Sequence, residues 1–109
     1  MTGYTEQQTV NKILEILVAG GISPSTILAG EKTVTVAGVA EPLAVSTTAK
    51  YVTIVAKTTN TGIIKVGNAT SQKVQLEATE SILLVADNLN KIYIDATVNG
   101  EGVDYIGGA

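Results

Sequence analysis

The stretch that decides the fold runs Lys50-Tyr51-Val52-Thr53-Ile54-Val55-Ala56-Lys57-Thr58-Thr59-Asn60-Thr61-Gly62-Ile63-Ile64-Lys65-Val66-Gly67. Val52 and Ile54 alternate with Tyr51, Thr53 and Val55, and Ile64 and Val66 alternate with Ile63 and Lys65, so the apolar period is two. Val, Ile and Thr dominate both runs, and their branched Cβ favours extended backbone. The intervening Thr58-Thr59-Asn60-Thr61-Gly62 is polar and ends in glycine, which reads as a five-residue hairpin connection.

Working outward, the same period holds from Glu31 to the end of the sequence. Strands are expected near 32–37, 42–46, 50–57, 62–67, 72–77, 80–86, 91–96 and 102–107. Gly67 to Ser71, Asp87-Asn88-Leu89-Asn90 and Asn99-Gly100 mark turns between them. Nothing alternates strand with helix, so a doubly wound parallel sheet is excluded. The expected architecture is mainly β: an eight-stranded antiparallel β-sandwich, jelly-roll-like, over 31–109. Its inward set reads as Val34, Val36, Leu43, Val45, Val52, Ile54, Ile64, Val66, Val74, Leu76, Ile82, Leu84, Ile92, Ile94 and Val103. Tyr51 and Val55 on the third strand, and Leu83 and Val85 on the sixth, are left pointing the other way. A domain this small has no second core for them, so they read as a contact face.

Before Glu31 the pattern changes. Thr5 and Gln8 match a capping box, and Val10, Ile13, Leu14, Leu17 and Val18 recur at helical spacing to form one apolar stripe. Gly20-Gly21 supplies a C-terminal stop. One amphipathic α-helix is expected at 5–19, within an N-terminal segment 1–21 that serves as anchor or oligomerisation element. Ser23-Pro24-Ser25 breaks both periods, so 22–30 reads as a linker. Glu6 and Glu15 make the segment unlike a secretory signal or a basic membrane-surface helix, and no apolar run reaches bilayer length.

Composition narrows the chemistry. The 109 residues suit one domain, and Val, Ile and Thr together number 39. Cysteine, histidine, tryptophan and phenylalanine are absent, and all seven basic residues are lysine. The usual general base, the usual zinc ligands, the thiol nucleophile and the bidentate phosphate clamp are therefore missing, and the expectation is no enzyme and no cofactor. A net charge of -3 disfavours a nucleic-acid partner. Asp95, Asn99, Glu101 and Asp104 gather oxygen ligands near the last turn, but in no calcium-loop spacing. Asp87, Asn88 and Asn90 read as Asx-turn residues. Glu77 and Glu80 flank Ala78-Thr79 and read as solvated charges beside a hairpin. Asn68-Ala69-Thr70 is a formal glycosylation sequon without secretory context. Lys50, Lys57, Lys65 and Lys73 are better explained by solubility and edge protection than by a nucleic-acid path.

One pattern goes beyond composition. Asn60-Thr61-Gly62-Ile63-Ile64-Lys65-Val66-Gly67-Asn68, Leu76-Glu77-Ala78-Thr79-Glu80-Ser81-Ile82, Leu89-Asn90-Lys91-Ile92-Tyr93-Ile94-Asp95-Ala96 and Val98-Asn99-Gly100-Glu101-Gly102-Val103 together resemble small β-sandwich proteins coded among the structural genes of tailed bacteriophages. The resemblance spans residues 31–106 and rests on turns and strand starts; Thr79 stands where a glycine is frequent. It implies a virion structural protein, a capsid decoration or head-fibre subunit, assembled in the host cytoplasm. It also implies a homo-oligomer, with a trimer favoured, whose partner is the major capsid protein or another virion protein. The alternative is a tail-fibre or baseplate module that reads a host glycan. Residues assigned to oligomer or capsid contact are Val10, Ile13, Leu14, Leu17 and Val18 on the stripe, and Tyr51, Val55, Leu83 and Val85 on the sheet.

Overall fold

The structure, a computed structural model, describes residues 24–109. Eight strands appear in it: β1 Ile27–Thr33, β2 Glu41–Pro42, β3 Tyr51–Ala56, β4 Ile64–Gly67, β5 Gln72–Leu76, β6 Ser81–Leu84, β7 Tyr93–Ala96 and β8 Gly102–Gly108. A single 3-10 turn, Leu89–Lys91, precedes β7. The strands form two four-stranded antiparallel sheets, ordered β1-β8-β3-β6 and β2-β7-β4-β5. The pairings are nested: β1 lies with β8, β2 with β7, β3 with β6 and β4 with β5. The β3–β8 and β4–β7 ladders then complete each sheet.

Burial follows the sequence period. Along β3, Val52, Ile54 and Ala56 are buried and Tyr51, Thr53 and Val55 half-buried. Val52, Ile54 and Val103 of the first sheet join Ile64, Val66 and Ile94 of the second in one hydrophobic cluster. The two sheets therefore face each other across a shared core. Full burial of each such side chain is worth about 1.5–3 kcal/mol before ordering entropy is set against it. Pro42 is tolerated because β2 is an edge strand, where the missing N–H breaks no ladder.

Several expectations change. The stretch 27–30, read as linker, is the first half of β1 and pairs with 105–108. The physical reason is on β8, whose far half needs hydrogen-bond partners along both edges. The connection 58–62 is no hairpin: β3 and β4 belong to different sheets, and the segment arches across the core. The same holds at Ala78-Thr79 and at Asn99-Gly100. Among the described strands, only the β4–β5 connection joins neighbours in one sheet. Val36, Val45 and Val74, expected inside, are exposed by 49%, 83% and 45%. Val36 and Val45 follow strands that end early, at Thr33 and Pro42, and so lie in loops. Val74 is opposite buried Val66 but sits on the edge strand β5, with no neighbour to cover it. Ala49, Ala56, Leu89 and Ala96 join the core instead. The helix expected at 5–19 lies outside the described residues.

Candidate association surface

Strand register fixes what lies on the outer side of the first sheet. Ile27, Gly108 and Tyr51 form one cross-strand row, Ala29, Ile106, Thr53 and Leu83 the next, and Glu31, Asp104, Val55 and Ser81 the third. Val85 follows β6 on the same side, because Leu84 and Ala86 pack on the core. The first two rows, with Val85 beside them, are mostly apolar and partly open: Ile27 is 78% exposed, Val85 65% and Ile106 55%. A shallow hollow of about 200 Å³ lies among Ile27, Tyr51, Thr53, Ile106 and Gly107. The third row ends the patch with charge. Lys57 reaches Glu31 at 2.9 Å and Asp104 at 3.7 Å. The hydrogen bond that the ammonium donates to Glu31 holds the Lys57 pKa above the ordinary lysine value.

Tyr51, Val55, Leu83 and Val85, singled out from sequence, thus come together on one face. Ile27, Ala29 and Ile106 complete it and were missed. Ile106 was readable from its alternation with Tyr105, whereas Ile27 and Ala29 were hidden by the linker reading. Val10, Ile13, Leu14, Leu17 and Val18 lie outside the described residues.

The polar constellations serve the loops. Glu101 accepts Thr61 N–H at 2.6 Å, Thr61 Oγ1–H at 2.9 Å and Gly62 N–H at 2.8 Å. The two backbone donors hold its carboxyl below the usual carboxylate value. Buried Asn60 donates from Nδ2 to Gly102 O at 2.8 Å and accepts Gly102 N–H at 3.2 Å. The 58–62 arch is thereby pinned to the start of β8. Asp95 Oδ1 accepts from Gly38 N and Ala96 N, and Asn99 Oδ1 from Ala37 N. The oxygen-rich set around the last turn is thus dispersed over separate loop contacts; among the described residues no group of three or more carboxylates could hold a metal ion. Asn88 Oδ1 accepts from Thr47 N and Asn90 N, and Asn68 Oδ1 from Thr70 N and Ser71 N. Glu80 Oε1 accepts from Glu77 N, so this pair builds a turn. Glu41 accepts Thr35 N–H at 2.9 Å and pairs with Lys32 at 3.0 Å, both of which lower its pKa.

No protein-family model, curated protein or solved structure matches the chain.

Proposed function

We propose that the chain is a structural virion protein of a tailed phage, a capsid decoration or head-fibre subunit that works through its surfaces and catalyses nothing. The observation that carries this reading is the nested strand order. Pairing first with last, second with second-last and so inward is what results when one long antiparallel ribbon is rolled over on itself. We take it as a jelly roll, an architecture that viral capsid domains use. The apolar outer face of the first sheet adds to it, since exposed patches of this kind are association surfaces. The resemblance over residues 31–106 supplies the phage context, as fold alone never assigns a role.

On this reading, copies sit around a threefold axis of the particle and bind the major capsid protein, through the stripe residues and the face of Tyr51, Val55, Leu83 and Val85. No cofactor, nucleic acid or membrane takes part. Jelly rolls also serve as lectins, which keeps the tail-fibre glycan module as the competing role. Sugar sites favour open aromatic platforms, and Tyr51, Tyr93 and Tyr105 are all half-buried. Cryo-electron microscopy of the assembled particle tests the proposal. Density for the sandwich at threefold positions on the head is expected; density on a tail fibre or baseplate would overturn it in favour of the glycan module.

A further inference from the structure

The outer face of the first sheet is mostly apolar over two rows, and the core beneath it, among the described residues, is built by side chains of both sheets. No buried side-chain nitrogen or oxygen among the described residues lacks a hydrogen-bond partner. What covers the face is indicated by where the chain reaches it. Ser25 N and Thr26 N both donate to Ala109 O, which ties the start of β1 to the end of β8. Pro24 then sits over the first row: a Cβ built on Gly108 would come within 2.5 Å of Pro24 Cβ and 2.9 Å of Tyr51 Cε1. Gly108 shares that row with Ile27 and Tyr51. The described chain therefore begins against the apolar face itself, at its most open end.

The sequence that arrives there is matched to the face. Val10, Ile13, Leu14, Leu17 and Val18 make one stripe with helical spacing. A helix over 5–19 is about 22 Å long, and a seven-residue strand such as β1 or β8 about 23 Å. Residues 20–23 span at most about 13 Å, enough to lay the end of such a helix beside Pro24. An isolated helix of that length is marginal in water, so the stripe needs an apolar surface to persist. A tether of so few residues gives the chain's own segment an effective concentration in the millimolar range, ahead of any other copy in dilute solution.

We propose that in the free chain residues 5–19 dock, stripe inward, along the outer face of the first sheet of the same molecule, over Ile27, Tyr51, Thr53, Ile106 and Leu83. This goes beyond the proposed function and stands without it.

The absence of cysteine makes a thiol footprint clean. Thr53→Cys places a single thiol at the centre of the face, and Val45→Cys, 83% exposed at the native residue, places one in a loop away from it. Each is made in the full chain with the stripe intact and again with Leu14→Asp and Leu17→Asp together. The expected result is that Cys at 53 reacts with a maleimide about tenfold or more faster once the stripe is broken, while Cys at 45 does not change. Protection at 53 should survive an approximately hundredfold dilution, because a tethered contact does not depend on concentration. If Thr53→Cys fails to fold, Leu83→Cys reads the same face. Equal rates with intact and broken stripes would overturn the proposal. So would protection that vanishes on dilution, which would identify a second copy as the cover.

Discussion

Thr79 has φ +74°, the one non-glycine residue with positive φ among those described. It is third in a four-residue turn closed by Glu80 N donating to Glu77 O at 2.9 Å. That position of a type II turn calls for glycine. Left-handed backbone costs a residue with a Cβ about 1–2 kcal/mol, and glycine's extra freedom in the unfolded chain costs about 0.5–1 kcal/mol. Thr79→Gly should therefore stabilise by about 0.5–1 kcal/mol, read as a higher urea midpoint at unchanged slope; a lower midpoint would refute the turn assignment. Glu101 is the second residue whose detail matters. Its folded pKa is depressed by the N–H groups of Thr61 and Gly62, so the folded state favours the carboxylate. That contribution is fully present above the unfolded value near 4.5 and is lost as pH falls through the lower, folded value. Glu101→Gln should lower the Tm at pH 7, and the gap to the parent chain should close as the solution is acidified below 4.5. A gap independent of pH would mean that the carboxylate's charge plays no part in holding the arch.

At the level of elements, the strands in the middle of the sequence were legible and their partners were not. β3 to β8 all fall within a residue or two of the positions that period two predicts, because alternation reports directly on a half-buried sheet. The turns between them carry the chemistry of a tight reversal whether the chain returns within a sheet or crosses to the other one. Asn99-Gly100 looks like a hairpin and, with Gly100 at φ +81°, turns like one, yet it joins β7 to β8 across the core. What selects the crossing is long-range: β8 lies between β1 and β3, a placement that no local pattern records. The apolar outer face was half legible for the same reason. Alternation exposed Tyr51, Val55, Leu83 and Val85, but their adjacency to Ile27 and Ile106 depends on that strand order. Leu89 and Val45 separate the two kinds of information. Sequence puts Leu89 in a polar turn and Val45 in the core; the structure buries the first completely and leaves the second 83% exposed. Leu89→Ala should cost about 2–5 kcal/mol, and Val45→Ala should stay within about 0.5 kcal/mol. Chemical denaturation of both variants measures this, and the reverse ranking would show the 3-10 turn to be wrongly placed.

For the molecule as a whole, the question is whether the two sheets constitute a folding unit without the residues that precede them. Both termini of the described chain are held at one end of the first sheet. Ala109 accepts from Ser25 and Thr26, and its own N–H returns to Thr26 O at 2.9 Å. The opposite end is tied by Asn60 and Glu101, which lock the arch between β3 and β4 to the start of β8. Between these ends lies one hydrophobic cluster fed by both sheets, with Val34, Val52, Ile54, Ile64, Ile94 and Val103 fully buried. Among the described residues, every strand that contributes to it begins at or after Ile27. An element docked on the outer face adds apolar contact without adding to this cluster, so its removal lowers stability and leaves cooperativity intact. Deleting residues 1–21 should accordingly give a protein with β circular dichroism and a single cooperative melt. Its Tm should be lower by about 4–8 °C for each kcal/mol of docking lost, given a domain of this size. The uncovered rows of Ile27, Ile106 and Leu83 should also make it bind hydrophobic dyes and aggregate more readily. A truncated chain that melts gradually, or that never acquires the β spectrum, would mean that the N-terminal segment belongs to the core.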